Sequence, residues 1–413
     1  MEKRRVLITG MGTVNPLGHD LAGTWQAVRE GVCGIGPITQ YDSAPQKVHL
    51  AAEVKQWDPA VALAGRDHRH MSRFIQLAVA AAQEAVTDSA INLEQEDRTR
   101  CGVIESSGVG GIGVTEREQM RCSQRSFDRA NPYYIPTTIA NMGAGLIAIA
   151  FGFQGMCTCP VTACAGGTNA VGDAFRYIRD GYGEVMLCGG SESAITPLSI
   201  GGFTSMRALH VGDDPECASV PFDARRSGFV MGEGAGILLL EEYDHARARG
   251  AKIYAEVVGY GATCDAYHMT APAPNSEGGA RAMARALADG GVTPEQVGYI
   301  NAHGTSTPLN DSGETAAIKT VFGPHAYKLA VSSTKSMTGH MLGAAGAVEA
   351  IFTAMSLRDG FLPATIHYRE PDPACDLDYV PNQGRAAQVE YALSNSLGFG
   401  GHNACVLLKR WEG

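Results

Sequence analysis

The sequence predicts an α/β fold made of two similar halves, with helices packed between and around two sheets. Three observations support this prediction. Apolar strands alternate with Ala-rich helices, the same order of elements occurs twice, and no Pro- or Ser-rich linker divides the chain. Sheets built from alternating strands and helices are covered on both faces. We place the two halves at residues 1–252 and 253–413.

The repeat is one of element order. Each half opens with a strand that ends in Gly-x-Gly, continues with an Ala-rich helix whose apolar residues follow helical spacing, and then has a short strand that runs into a polar, Gly-containing loop. A second strand–turn–helix unit follows in each half. These elements lie at 5–12, 74–86, 101–108 and 159–178 in the first half and at 254–261, 280–287, 298–304 and 329–352 in the second.

Composition limits the class of protein. The 413 residues are 45% hydrophobic and 18% charged, so the chain can bury a large core and is not disordered. A net charge of −10 argues against a general nucleic-acid binder, which needs a basic face. No apolar run approaches the roughly 18 residues of a membrane span, and the apolar stretch at 6–8 is too short for a signal peptide. We expect a cytoplasmic protein with no membrane association.

The cysteines and histidines lack metal-site spacing. The eleven cysteines are scattered, and neither Cys-x-x-Cys nor His-Glu-x-x-His occurs. We therefore expect reduced thiols and no metal.

One cysteine lies where a strand is expected to turn into a helix. Cys164 stands in the segment TACAGGT at 162–168. Backbone N–H groups at a helix N-terminus favour a thiolate, which would lower the thiol pKa, and the same groups could hold an oxyanion. The alternative is a structural cysteine in a Gly/Ala turn.

Two histidines, a lysine and a phenylalanine lie in Gly-containing loops after apolar strands. His303 belongs to NAHGTST, Lys335 and His340 to SSTKSMTGH, and Phe399 to NSLGFGGHN. In α/β proteins, catalytic and binding residues often lie in loops of this kind. Glu349, on the following helix, could neutralise Lys335. Taken one by one, these residues could instead cap helices or pack in the core.

Together with TACAGGT, these segments resemble the β-ketoacyl-acyl-carrier-protein synthases, specifically the elongating type II enzymes. The segments PFDARRSGFVMGEGAG from Pro221 and GYGATCDAYHMTAP from Gly259 extend the resemblance, which covers essentially the whole chain. The resemblance implies a thiolase-like fold, a duplicated five-layer α/β/α/β/α sandwich. It also implies a decarboxylating Claisen condensation of an acyl thioester with a malonyl-loaded acyl carrier protein.

The resemblance assigns roles to individual residues. Cys164 would carry the acyl group, and the backbone N–H groups of Cys164 and Phe399 would form the oxyanion hole. His303 and His340 would stabilise the enolate, and Lys335 would orient the site through Glu349. The remaining assignments are substrate-binding or pocket-shaping residues: Thr305 and Thr307 on the pantetheine arm, Val109 and Phe399 as gate of the acyl pocket, and Ile112, Met156 and Cys157 as pocket residues.

The resemblance also implies partners. No metal or redox cofactor is needed, because acyl groups arrive on the phosphopantetheine arm of an acyl carrier protein, and the enzymes form homodimers. The carrier protein is acidic, so a basic rim is expected. Its candidates are Arg66, Arg69, Arg73, Arg125, Arg129 and Arg207.

Other functions are less consistent with the sequence. Gly10-Met11-Gly12 hints at a nicotinamide-dependent oxidoreductase, but the third glycine of that motif is replaced by Asn15. A non-condensing chain-length-factor-like partner would lack the nucleophile. Two histidines with a lysine fit elongating synthases better than thiolases or CoA-primed initiating enzymes. A polyketide ketosynthase remains an alternative, and the preferred acyl length is open.

Overall fold

The computed structural model describes residues 3–413. Its strands are β1 (Val6–Val14), β2 (Gly36–Pro37), β3 (Leu50–Ala51), β4 (Cys101–Ser106), β5 (Cys157–Thr158), β6 (Val185–Glu192), β7 (Gly234–Glu242), β8 (Ala255–Cys264), β9 (Val297–Asn301), β10 (Ala330–Ser332), β11 (Phe361–Leu362), β12 (Arg385–Ala386), β13 (Tyr391–Gly398) and β14 (His402–Arg410). Its helices are α1 (Leu21–Glu30), α2 (Pro59–Ala62), α3 (Arg73–Ser89), α4 (Ile112–Ser123), α5 (Tyr134–Thr138), α6 (Met142–Phe151), α7 (Gly166–Arg179), α8 (Pro197–Ser205), α9 (Pro215–Ala218), α10 (Tyr243–Ala248), α11 (Glu277–Gly290), α12 (Pro308–Phe322), α13 (Lys335–Thr338) and α14 (Ala345–Asp359).

The predicted duplication is present in the sheet. Ten strands follow the order β10-β9-β13-β14-β8-β1-β7-β6-β4-β5. Read outward from the centre, the first half runs β1-β7-β6-β4-β5 and the second β8-β14-β13-β9-β10. Each half has two antiparallel pairings followed by two parallel ones.

The layers agree with the predicted five-layer sandwich. Helices α7 and α14 pack against strands of both halves and form the central layer, whereas α3 covers the outer face of the first half and α11 that of the second. One detail differs from the prediction of two separate sheets. Strands β1 and β8 pair antiparallel, from Val6 with Val257 to Ile8 with Ala255, and this joins the two halves into one continuous sheet.

The two Gly-x-Gly sequences have the same structural purpose. A Cβ at Gly12 would lie 2.7 Å from the backbone nitrogen of Ala85 on α3, and a Cβ at Gly261 would lie 2.8 Å from that of Ala286 on α11. Glycine lets each outer helix approach its strand closely. Gly12 therefore serves helix packing, and the dinucleotide interpretation has no structural support here.

The two central helices begin side by side. A Cβ at Gly167 on α7 would lie 2.7 Å from the backbone nitrogen of Ala347 on α14, so the first turns touch. This brings the loop before α7, from the first half, next to the loop before α14, from the second. Among the described residues, no helix combines the length and apolar character needed to cross a bilayer.

Candidate active site

Cys164 lies in a short 3₁₀ turn, Ala163–Ala165, directly before α7, and is buried. Ala163 has a φ of 50°, a conformation that residues with a side chain rarely adopt. Strain of this kind persists only where the surrounding structure holds it, and it clusters at functional sites. The thiol stands directly before α7, as predicted, but the strand expected from residue 159 is absent there, since β5 ends at Thr158.

Two backbone N–H groups face the Cys164 sulfur. They belong to Phe399 and to Cys164 itself, and both favour the thiolate. The chain of β13 passes so close that a Cβ at Gly398 would lie 3.2 Å from the Cys164 nitrogen and 2.9 Å from the Thr162 oxygen. The pair of donors expected for an oxyanion hole is therefore assembled.

The expected low thiol pKa is not found. Burial raises the pKa of Cys164 to about 12, and the opposing effects of the Lys335 charge and of the two N–H groups do not cancel it. Sequence reasoning considered the helix N-terminus but not the loss of water around the sulfur. The thiol therefore holds its proton in the resting site and needs a base during reaction.

His303 and His340 lie edge to face, with 5.2 Å between their ring centroids at an interplanar angle of 84°. Both are buried, and the Nδ1 atom of each lacks a hydrogen-bond partner among the described residues. Burial, followed by the Lys335 charge, holds the pKa of both rings well below 6.5. Both imidazoles are therefore neutral and can donate one hydrogen bond and accept another.

The Lys335 ammonium donates to the carboxylate of Glu349, as the sequence suggested, and both side chains are buried. Burial raises the pKa of Glu349 to about 7, against the opposing effect of Lys335. The ammonium is thus held on α14 while its charge acts on the two histidines and on Cys164.

Glu314 is a part of the site that sequence reasoning missed. Its carboxylate accepts the backbone N–H of His303 and that of Gly304, each at 2.8 Å. This fixes the loop that carries His303. The available sequence signal was a glutamate in the polar segment PLNDSGET, which follows NAHGTST and begins α12.

The remaining predicted residues lie around these groups. The Thr305 and Thr307 hydroxyls are 2.9 Å apart, with Thr305 buried and Thr307 half-buried. Phe399 is half-buried and packs 6.2 Å, between ring centroids, from Phe203. Val109 is exposed and follows Gly108, whose N–H donates to Glu192.

The predicted pocket residues Ile112, Met156 and Cys157 are half-buried or exposed, and they lie at the start of α4 and beside β5. Their effect on the acyl pocket stays a prediction.

The basic rim needs one correction. Arg73 donates at 2.7 Å to both oxygens of the buried Glu233, so its charge is neutralised inside the fold and it does not belong to a free basic surface. Arg66 is half-buried over the Phe151 ring. The other candidates are exposed: Arg69, Arg125, Arg129 and Arg207.

Comparison with known proteins identifies the family of this chain. Residues 3–246 match the family described as "Beta-ketoacyl synthase, N-terminal domain", and residues 254–369 match "Beta-ketoacyl synthase, C-terminal domain". The chain is 52% identical to a 3-oxoacyl-[acyl-carrier-protein] synthase 2 of Synechocystis sp. over 100% of this chain and 99% of the relative. It is 48% identical to the synthase of the same name from Staphylococcus aureus, with the same coverage.

A solved structure shows the same fold. It holds a ketosynthase of a type II polyketide synthase in complex with its acyl-carrier protein, and it superimposes with a TM-score of 0.92 at 33% identity over 100% of both chains. The family matches span most of the sequence and the relatives cover all of it. The chain therefore belongs to the beta-ketoacyl synthase family of condensing acyltransferases.

Proposed function

We propose that this chain is a 3-oxoacyl-[acyl-carrier-protein] synthase that lengthens acyl chains by two carbons through a Cys164 acyl-enzyme. One observation carries the proposal: the Cys164 sulfur faces two backbone N–H groups within the site that holds two neutral histidines. We assign it to fatty-acid rather than polyketide synthesis because the relatives named 3-oxoacyl synthase are 52% and 48% identical, against 33% for the polyketide ketosynthase.

The first half-reaction transfers the acyl group. The Cys164 sulfur attacks the thioester carbonyl, and its proton passes to a neutral imidazole of the site. The carbonyl oxygen becomes an oxyanion that accepts the N–H groups of Cys164 and Phe399. Collapse expels the pantetheine thiolate, which takes the proton back from the imidazolium and leaves with the carrier protein, so the imidazole is neutral again. The sulfur now carries the acyl group.

The second half-reaction forms the carbon–carbon bond. Malonyl-carrier protein loses CO2, and the electron pair of the broken bond becomes an enolate whose oxygen accepts hydrogen bonds from His303 and His340. Neutral imidazoles suit this role, since they donate without releasing a full proton. The enolate carbon attacks the acyl carbonyl, and the bond to Cys164 breaks to give the 3-oxoacyl product. The Cys164 thiolate released in this step takes up a proton from solvent and returns to the thiol. Because the leaving CO2 drives the step, no cofactor is required.

The other site residues would bind the substrates. Thr305 and Thr307 would hold the pantetheine arm, and Phe399 with Val109 would gate the acyl pocket. Arg69, Arg125, Arg129 and Arg207 would meet the acidic carrier protein, which is supported by their exposure. Charge reversal at Arg69 and Arg207 should raise the apparent KM for the carrier protein, and an unchanged KM would remove them from the interface.

We further propose a homodimer and the division of the chain at 252/253. Strand β5 is one of the two edges of the sheet, and an edge strand favours pairing with another chain. Apolar side chains on α6 and beside β5 are exposed, among them Ile149, Met156 and Val161. For the homodimer, sedimentation velocity should give a mass twice the 43.5 kDa of one chain.

The repeated strand order supports the division of the chain at 252/253. The cytoplasmic location stays a prediction.

Intact mass measurement tests the proposed reaction. The wild type and Cys164→Ala are mixed with decanoyl-carrier protein, and malonyl-carrier protein is then added. We expect a decanoyl adduct on the wild type, absent from Cys164→Ala, and its release as a 3-oxododecanoyl thioester. Cys159→Ala is the matched control, a half-buried cysteine nearby that should keep the adduct. Absence of an adduct on the wild type would contradict the proposal and favour a chain-length-factor-like partner.

A further inference from the structure

A buried carboxyl group outside the site described above lies at the end of β4. Glu105 is fully buried, and Ser191 Oγ lies 2.6 Å from its Oε1 atom. Its Oε2 atom has no hydrogen-bond partner among the described residues and faces the start of α6. A Cβ at Gly143 would overlap this oxygen, so glycine at 143 makes the space that Glu105 occupies.

A second buried carboxyl group belongs to the neighbouring strand. Glu192 accepts the N–H of Gly108 at 2.7 Å, the N–H of Gly343 at 3.0 Å and the Ser107 hydroxyl at 3.1 Å. These donors connect Glu192 to residues 108–111, here called the gate segment, and to the turn that leads into α14. Glu192 also acts electrostatically on Cys164.

No cation balances the two carboxyl groups. Within residues 3–413, neither Glu105 nor Glu192 forms an ion pair, and α6 carries no charged residue. The titratable groups that face Glu105 are Glu192 on β6 and the thiols of Cys157 and Cys159 at β5. Burial without a cation disfavours the ionised form of both groups, and the Glu192 charge adds to this effect at Glu105.

The hydrogen bonds decide which group keeps the proton. Glu192 receives four donors, from Ser107, Gly108, Val109 and Gly343, and these stabilise an anion. Glu105 accepts the Ser191 hydroxyl, with the N–H groups of Ser191 and Ala144 nearby, and its Oε2 atom has no hydrogen-bond partner among the described residues. A protonated Glu105 would donate from Oε1 to Ser191 and leave only a carbonyl oxygen unpaired. Burial raises the pKa of Glu105 to about 8 and that of Glu192 to about 7, in the same order. Between about pH 7 and about pH 8, the two carboxyl groups then hold one proton between them.

We propose that Glu105 is a positioning residue that keeps the proton of this carboxyl pair, so that anionic Glu192 can hold the gate segment and the start of α14 beside Cys164. The inference rests on the proposed function, since it concerns how an acyl chain reaches that thiol. When Glu105 ionises at higher pH, its charge repels the Glu192 carboxylate, and the hydrogen bonds that Gly108 and Gly343 donate to Glu192 weaken.

The test compares two reactions of the same thiol. Transfer of a decanoyl group from carrier protein to Cys164 needs the gate segment in place, whereas alkylation by iodoacetamide, a small reagent, does not. The ratio of the two rates is measured from pH 7.5 to pH 9 for the wild type and for Glu105→Gln, which is neutral at every pH. We expect the wild-type ratio to fall up to about tenfold, since a group of pKa about 8 keeps its proton in about one molecule in ten at pH 9.

Glu105→Gln should keep its ratio within about twofold over the same range. Identical profiles for wild type and variant would overturn the inference. Failure of the wild type to accept decanoyl groups at pH 7.5 would instead contradict the proposed function.

A second pair of variants covers the case in which Glu105→Gln does not fold. Gly143→Ala should displace the Glu105 carboxyl group and lower the ratio severalfold at pH 7.5. Gly145→Ala on the same helix is the control, because its Cβ would meet only the Met142 sulfur, at 3.9 Å. Equal ratios for these two variants would also overturn the inference.

Discussion

Lys335 and Glu349 form an ion pair in the centre of the protein, between the start of α13 and the first turns of α14. Their side chains are 1% and 3% exposed. Burial is the largest cause of the lowered pKa of His303 and of His340, and the Lys335 charge is the next largest. Glu349 therefore holds in place an ammonium group whose charge helps burial to keep both imidazoles neutral.

Removal of the ammonium should destabilise the protein in a pH-dependent way. Lys335→Met leaves Glu349 buried without a partner, which costs about 3–5 kcal/mol of unfolding free energy. The loss should be smaller at pH 5.5 than at pH 7.5, because an unpaired Glu349 can escape by taking a proton. Urea unfolding measures both values. Lys328→Met, at an exposed lysine, is the control. An equal loss at the two pH values would contradict this explanation.

The two histidines should resist protonation. Their pKa values are lowered in the folded state, so the stability linked to them is complete above about 6.5 and decreases as the pH falls below that value. Side-chain NMR at pH 6 should show His303 and His340 as neutral rings. The half-buried His49, whose pKa is raised by its hydrogen bond to Asp213, should be protonated there. In Lys335→Met, both buried rings should titrate at higher pH. Protonated signals from them at pH 6 in the wild type would contradict the assignment.

Glu314 should matter for kcat more than for acylation of Cys164. Glu314→Ala leaves the N–H groups of His303 and Gly304 buried and unpaired, at about 1–3 kcal/mol each. The His303 loop then shifts, and decarboxylation of malonyl-carrier protein should slow by at least tenfold. Glu314→Gln keeps one carbonyl acceptor, so its decarboxylation rate should lie between those of the wild type and Glu314→Ala. Equal rates for Glu314→Ala and wild type would show that the loop needs no such support.

A methyl group at Gly398 should damage the oxyanion hole. In Gly398→Ala the Cβ lies 3.2 Å from the Cys164 nitrogen, so the chain must move away from the N–H groups that face the sulfur. We expect acyl transfer to fall by about 10²–10³, the usual effect of losing one oxyanion donor. Gly202→Ala, where a Cβ meets nothing within 4 Å, should leave the rate unchanged. Near-wild-type acyl transfer in Gly398→Ala would exclude this pair of donors.

Much of this molecule could be predicted from its sequence because its repeated elements carry clear signals. The Gly-x-Gly strands, the Ala-rich helices and the loops of Cys164 and His303 are local patterns. Contacts across the fold are not local. The bonds from Glu314 to His303, the capture of Arg73 by Glu233 and the depth at which Cys164 is buried all depend on how distant segments meet. The sequence therefore predicts which residues form the site, and the structure shows which contacts hold them in place.

The side-by-side start of α7 and α14 has a consequence for how activity arises during folding. Cys164 comes from the first half of the chain, whereas both histidines, Lys335 and Phe399 come from the second, more than 130 residues later. Contacts between such distant residues form late and only after long loops have closed. In a chain whose first half had folded alone, Cys164 would lack the Phe399 N–H group and both histidines. Acylation of Cys164 thus reports that both halves have docked, and the nascent enzyme cannot capture an acyl group before it is complete.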